Sequence, residues 1–153
     1  MSLTIFLDTS PLSVVTNPKR SPETIACLQW AVDMMVAGHR FVTPAIADYE
    51  LRRELERAGR QNGIATLDRW NTAFPDRYLP LTDSALRLGA KLWAQSRNLG
   101  QMTAGPKELD GDVLISAQAL DMGLPVSEFI IATANIGHLT QFVPADLWTN
   151  IKP

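Results

Sequence analysis

The chain opens with Leu3-Thr4-Ile5-Phe6-Leu7, a nearly continuous apolar run that breaks off at Asp8-Thr9-Ser10-Pro11. A strand with one wet face alternates apolar and polar residues, whereas an unbroken run reads as a strand covered on both faces. Such a strand needs helices above and below it. The rest of the chain must therefore supply crossovers, and the first acid of the chain, Asp8, falls at the end of this strand.

The remaining pattern supplies them. Ser21-Pro22-Glu23 reads as an N-cap, a proline at the first helical position and an acid in the first turn. Ile25, Leu28, Val32, Met35 and Val36 follow at helical spacing, and Gly38 ends the run. Phe41-Val42-Thr43-Pro44 predicts a second strand. Ile46, Tyr49, Leu51 and Leu55 predict a helix running to Gly59, with Glu50 in its second turn. Ile64, Leu67 and Trp70 suggest a further helix, and Tyr78-Leu79-Pro80-Leu81 a short strand before the cap Thr82-Asp83. Leu86, Ala90 and Trp93 line the next helix. After a polar connection from Asn98-Leu99-Gly100 to Gly105-Pro106, a helix is expected to resume near Asp110, carrying Val113, Leu114, Ala117 and Leu120 and closing at Gly123. Phe129 to Thr133 reads as the last well-defined buried strand, and the tail from Phe142 to Trp148 as an edge strand or a turn.

Strands alternating with helices predict an α/β domain with a mostly parallel sheet of four to five strands between two helical layers. The 153 residues suit one domain, residues 1–153. No apolar stretch approaches the roughly 18 residues that a bilayer requires, and the N-terminus lacks the basic region and cleavage site of a signal peptide, so no membrane partner and a cytoplasmic location are expected. The one cysteine, Cys27, lies in the apolar setting Ile25-Ala26-Cys27-Leu28 and reads as an inert buried side chain.

In parallel sheets, sites form beyond the carboxyl ends of the strands. That rule selects Asp8 after strand one, with Thr133 and Asn135 closing the last main strand on the same rim. Four acids are weighed as ligands: Asp8, Glu50, Asp110 and Asp112. Carboxylates gathered in a low dielectric repel unless a cation or proton intervenes, and a hard cation, Mg²⁺ or Mn²⁺, suits an all-oxygen set. Each has an ordinary alternative. Asp110 could simply cap the helix that follows, Asp112 could favour its first-turn dipole, and Glu50 could be a solvated helix residue facing Arg53 or Glu54. Asp8 could be a turn former, though strand ends are where α/β enzymes keep reactive groups.

These pieces also carry a family likeness. Leu7-Asp8-Thr9-Ser10, Pro44-Ala45-Ile46 with Glu50 downstream, Asp112-Val113-Leu114-Ile115-Ser116-Ala117-Gln118-Ala119, and Ile131-Ala132-Thr133-Ala134-Asn135 followed by His138 and Phe142 resemble, in order and spacing, the PIN-domain nucleases. Within them they resemble the toxin half of VapBC-type toxin–antitoxin pairs, over nearly the whole chain. The resemblance implies a three-layer α/β/α fold, with Asp8, Glu50 and Asp112 as the metal-binding acids and Thr9 and Thr133 beside them. Where some relatives carry a further acid near the last strand, this chain has Asn135 and His138. Asp110 is a further candidate ligand, but it lies about 200° around a helix from Asp112, so the two reach one ion only if the helix starts between them.

A cation on Asp8 and Asp112, with Glu50 acting through water and Thr133 and Asn135 hydrogen-bonded to a ligand carboxylate or a phosphate oxygen, would activate a water against a phosphodiester, and the resemblance implies hydrolysis of RNA leaving a 5′-phosphate. The chain's 14 basic against 16 acidic residues give a net charge of −2, so attraction to RNA has to be local. Arg53 and Arg57, with Arg52 and Arg60 on the same helix, and Lys107 are the phosphate candidates, against the alternative of a solvated face paired with Glu54 and Glu56. His138 is given no role. Trp30, Trp70 and Trp93 read as core or dimer contacts.

If the toxin resemblance holds, it implies a small antitoxin partner and a homodimer. Two other readings stay open: a PIN-like module that binds RNA or protein without cutting, and a housekeeping RNA-processing nuclease. A haloacid-dehalogenase-like phosphotransferase would need a second aspartate where Ser10 stands, and a Rossmann module a glycine-rich first turn, which Asp8-Thr9-Ser10-Pro11 is not.

Overall fold

The computed structural model describes residues 1–100 and 106–153, with the side chains of 106–109 left out. Its sheet is built from β1 (Thr4–Leu7), β2 (Arg40–Pro44), β3 (Tyr78–Leu79), β4 (Phe129–Ala132) and β5 (Ala145–Asp146). All pairings are parallel and the order is β3-β2-β1-β4-β5. β1 is therefore central and buried at all its positions, as its unbroken apolar run requires. The tail contributes β5 as an edge strand, the first of the two expectations held for it.

The helices are α1 (Thr9–Val15), α2 (Pro22–Val36), α3 (Ala45–Arg57), α4 (Gln61–Thr72), α5 (Asp83–Asn98), α6 (Pro106–Asp121) and α7 (Ile136–Leu139). The expected caps form where the sequence places them. Ser21 Oγ accepts from Thr24 N at 3.2 Å, and Thr82 Oγ1 accepts from Ala85 N at 3.1 Å. Gly38, at φ 92°, leaves α2 in the left-handed region that its position after the helix demands.

Three elements differ from the sequence reading. Asp8-Thr9-Ser10-Pro11, for which a simple turn was the ordinary alternative, is the start of α1, a helix the sequence reading did not place: Asp8 is the cap, and Pro11 sits in the first turn, where a missing N–H leaves no intrahelical bond unmade. α6 begins at Pro106 rather than near Asp110, so Asp110 is an interior helical residue and caps nothing. Residues 101–105 of the expected polar connection lie outside the described residues. The short helix α7 follows β4 where the sequence reading placed no element.

The core centres on Ile5, Phe6, Leu7, Val42, Phe129 and Ile131 of the sheet, with Leu12, Met34, Leu67 and Leu139 packed from the helices. Trp30 belongs to it, its indole N–H donating to the Ile151 carbonyl at 2.8 Å, and Trp70 packs against its margin with its N–H on Thr43 Oγ1 at 3.2 Å. Trp93 differs: it is exposed on α5, where Arg97 lies over its ring at 5.0 Å. Among the described residues no helix is long and apolar enough to cross a membrane.

Candidate metal centre

Strand order reverses between β1, whose crossover leads to β2 on one side, and β4, which pairs with β1 on the other. That switch point is where a parallel sheet opens a crevice beyond its carboxyl ends. Leu7 pairs with Ala132, which brings the next residues, Asp8 and Thr133, side by side. Asp8 Oδ1 accepts from Thr9 N at 2.8 Å, capping α1, while Oδ2 accepts from Thr133 Oγ1 at 2.7 Å. The Thr133 hydroxyl is oriented in turn, since its oxygen accepts from Asn135 N at 3.0 Å. Each bond fixes the direction of the Asp8 carboxylate before any ligand arrives.

Glu50 comes from the second turn of α3, which packs against both α1 and α6. Its Oε1 accepts from Thr9 Oγ1 at 3.0 Å, and Arg53 stands one turn on, 4.0 Å from Oε2. Asp112 comes from α6 and faces His138 of α7, with Nδ1 3.6 Å from its Oδ2. These side chains line one cleft of about 460 Å³, together with Ser10, Ser13, Glu54, Gly111 and Asn135. One strand end and two helices thus deliver the three acids of the sequence reading to one place.

The electrostatics of the cleft favour a positive guest. Burial pushes the Asp8 carboxyl above its ordinary range, against the opposing pull of its Thr133 and Thr9 hydrogen bonds and of His138. Burial likewise raises Glu50, the Thr9 hydrogen bond lowers it, Asp8 adds to the rise, and Arg53 opposes it. Two part-buried acids, each raised by burial and one of them further by the other, are relieved by a cation. Their chemistry, all oxygen with hydrogen-bonded outer partners, fits a hard divalent ion. Among the described residues, however, no three acidic, histidine or cysteine side chains stand close enough to enclose an ion as they are. The fit is to a cation held by one or two carboxylates with water between it and the rest, the usual condition of Mg²⁺.

The other candidates separate. Asp110 and Asp112 lie in one uninterrupted helix, so the start between them that would let both reach one ion does not exist. Asp110 is exposed and absent from the cleft lining. Arg53 lines the cleft and also lies over the Tyr49 ring at 5.3 Å. Arg57 is turned to Glu54 at 2.9 Å, with both side chains largely exposed, which is the paired, solvated alternative. Arg52 is taken by Asp48 at 2.9 Å and Asp68 at 2.7 Å. The Lys107 side chain lies outside the described residues.

Among the cleft residues, His138 was given no role by the sequence reading, and Ser13 and Gly111 were not singled out. An isolated glycine inside a helical pattern is a signal of close packing. With α6 expected to start near Asp110, Gly111 fell in its first turn, where a glycine is unremarkable.

A family model described as the PIN domain matches residues 5–137, a span that holds β1, α3, α6 and the end of β4. The chain belongs to the PIN domain family. Its fold also matches solved structures. These include VapBC2 from Rickettsia felis bound to a DNA fragment from its promoter, with a TM-score of 0.68, 13% identity, and coverage of 95% of this chain and 99% of that one. FitAcB from Neisseria gonorrhoeae matches with a TM-score of 0.66 at 20% identity, over 96% and 99% of the two chains. VapBC-1 from nontypeable Haemophilus influenzae matches with 0.65 at 15% identity, over 97% and 100%. At these identities the likeness is one of fold. No curated protein matches the sequence.

Proposed function

We propose that this PIN domain is a metal-dependent ribonuclease, the toxin of a type II toxin–antitoxin pair. The observation that carries the reading is the shared cleft of Asp8, Glu50 and Asp112, two of whose acids are pushed toward protonation by burial. Folding places charge there at a cost, and a bound cation offsets it. Asp8 and Asp112 would hold Mg²⁺ or Mn²⁺, with Glu50 joined through water. The ion would supply a more acidic water and neutralise charge on the phosphoryl group.

The side chains do the rest. Thr133 and Thr9 keep the two acids in fixed directions. Glu50 orients the attacking water, which forms a bond to phosphorus as the bond to the ribose 3′ oxygen breaks and that oxygen takes up a proton, leaving a 5′-phosphate. Asn135, on the cleft wall, donates to a phosphate oxygen. Arg53, which lines the cleft, is the first phosphate contact along the strand, and Arg57, once it leaves Glu54, and Lys107 would extend it. The toxin assignment and a small antitoxin partner are supported by the family resemblance and by the VapBC complexes among the structural neighbours, and a homodimer by the resemblance alone.

A second reading has one observation in its favour: the acids do not enclose an ion as they stand, which a PIN module that binds without cutting would also show. Cleavage of a structured RNA mixture with Mg²⁺ or Mn²⁺ separates the two. Activity abolished by EDTA and lowered by about 100-fold or more in Asp8→Asn and Asp112→Asn is the expected result. A folded protein that binds RNA yet leaves it intact at millimolar metal favours the binding module, and cutting that persists in Asp8→Asn places the chemistry elsewhere.

A further inference from the structure

Gly111 occupies the sixth position of α6, immediately before Asp112. Glycine in a helix interior is less stable than alanine, because it loses more backbone freedom on folding and shields less of the helix backbone. Its φ is not in the left-handed region, so no backbone conformation requires it. What it faces does. A Cβ at this position would lie 3.0 Å from Glu50 Oε2 and 3.5 Å from Oε1, and nothing else is nearer than the Glu50 carboxyl carbon at 3.6 Å. The missing methyl group is the space in which the Glu50 carboxylate sits.

We infer that Gly111 is a positioning residue of the metal site, sparing the volume that lets the Glu50 carboxylate lie flush against α6 beside Asp112. The proposal rests on the metal reading of the cleft. An added methyl group meets the tip of a flexible side chain, so the fold absorbs it by moving Glu50. That movement draws the carboxylate off Thr9 Oγ1, its hydrogen-bond partner at 3.0 Å, and away from the ion it helps to hold. The two consequences have opposite sign. Gly111→Ala should strengthen the helix and weaken the site, whereas a glycine kept for folding would do the reverse.

The test is Mn²⁺ binding by calorimetry, paired with melting in EDTA, for the wild-type chain, Gly111→Ala, Glu50→Ala and the double variant. The expected result is a roughly tenfold loss of Mn²⁺ affinity in Gly111→Ala, the scale of a disturbed ligand support. Its melting temperature in EDTA should be unchanged or higher, and the Glu50→Ala background should show no further loss of affinity. Wild-type affinity in Gly111→Ala, an equal loss in both backgrounds, or a variant that fails to fold would overturn the proposal. If the wild-type chain binds no Mn²⁺, it is the metal reading that fails. The melting data then still decide whether Gly111 spares room for Glu50: a larger gain from Gly111→Ala once Glu50 is truncated upholds the contact, and equal gains remove it.

Discussion

Asp8 caps α1 with one carboxylate oxygen and accepts the Thr133 hydroxyl with the other, yet burial still leaves its carboxyl above the ordinary range. A raised folded-state pKa means that the folded protein holds the proton more firmly than the unfolded chain, so stability from this group is present at low pH and is lost as pH rises through the folded value. Glu50 has the same sign. In EDTA the wild-type chain is therefore expected to gain stability as pH is lowered from neutrality toward the raised pKa values of these two acids. Asp8→Asn, which keeps a cap oxygen and carries no charge, should melt a few degrees above wild type at neutral pH. Saturating Mn²⁺ reverses the order, because only the chain that binds the ion gains from it, by about 2.7 kcal/mol at a hundredfold excess over Kd. Asp8→Asn that stays above wild type at saturating Mn²⁺ would mean that the cleft binds no ion, and variants that melt together in EDTA at every pH would mean that the cleft acids behave as ordinary surface carboxylates.

At the scale of elements, the site depends on how α3 is hung between its neighbours. α3 starts after Pro44 with no side-chain cap, and one of its open amides, Ile46 N, instead donates to Gln118 Oε1 of α6 at 3.1 Å. The same amide group of Gln118 donates to the carbonyls of Leu79 at 3.0 Å and Pro80 at 3.3 Å, tying β3 to the pair. Gln118 is buried and its partners at Ile46 and Leu79 are part-buried, so replacing it by Met strands polar groups that it now satisfies. A loss of about 2–4 kcal/mol in urea unfolding is expected, from a cost of about 1–3 kcal/mol per stranded group. A change below about 1 kcal/mol would mean that water reaches these groups. The sequence showed the apolar side of such elements well: β1, β2 and β4, the caps at Ser21 and Thr82, and Glu50 in the second turn of α3 all followed from periodicity and cap chemistry. α1 was hidden because seven residues with three buried side chains make too short a period to distinguish from a turn. The start of α6 was misplaced because Asp110 has the chemistry of a cap without the position of one, and that error in turn concealed Gly111. Which acids share a cleft was legible from the strand-end rule and the family pattern. The Thr9–Glu50 and Gly111–Glu50 contacts were not, since they depend on how α1, α3 and α6 pack.

Over the whole molecule the charge is slightly negative, so a polyanion is not drawn to the surface at large. The basic residues of α3 are mostly committed elsewhere: Arg52 to Asp48 and Asp68, Arg57 to Glu54. Arg53, about half exposed and 4.0 Å from Glu50, is the α3 arginine that lines the cleft. Binding to RNA should then rest on few phosphate contacts. For a single strand, affinity falls with salt on a log–log slope of about −0.7 per contact, so the three candidates Arg53, Arg57 and Lys107 correspond to a slope of about −2. Measured with the Asp8→Asn variant to prevent cutting, Arg53→Gln should reduce the slope by about 0.7 and weaken binding to unrelated sequences alike. Arg57→Gln should change it less, because Glu54 already offsets that charge. A slope steeper than about −4 would require more cations than these three, and would move the RNA path to another face of the molecule. A shallow slope that responds to Arg53 keeps the strand over the cleft, where the fold has gathered its buried acids.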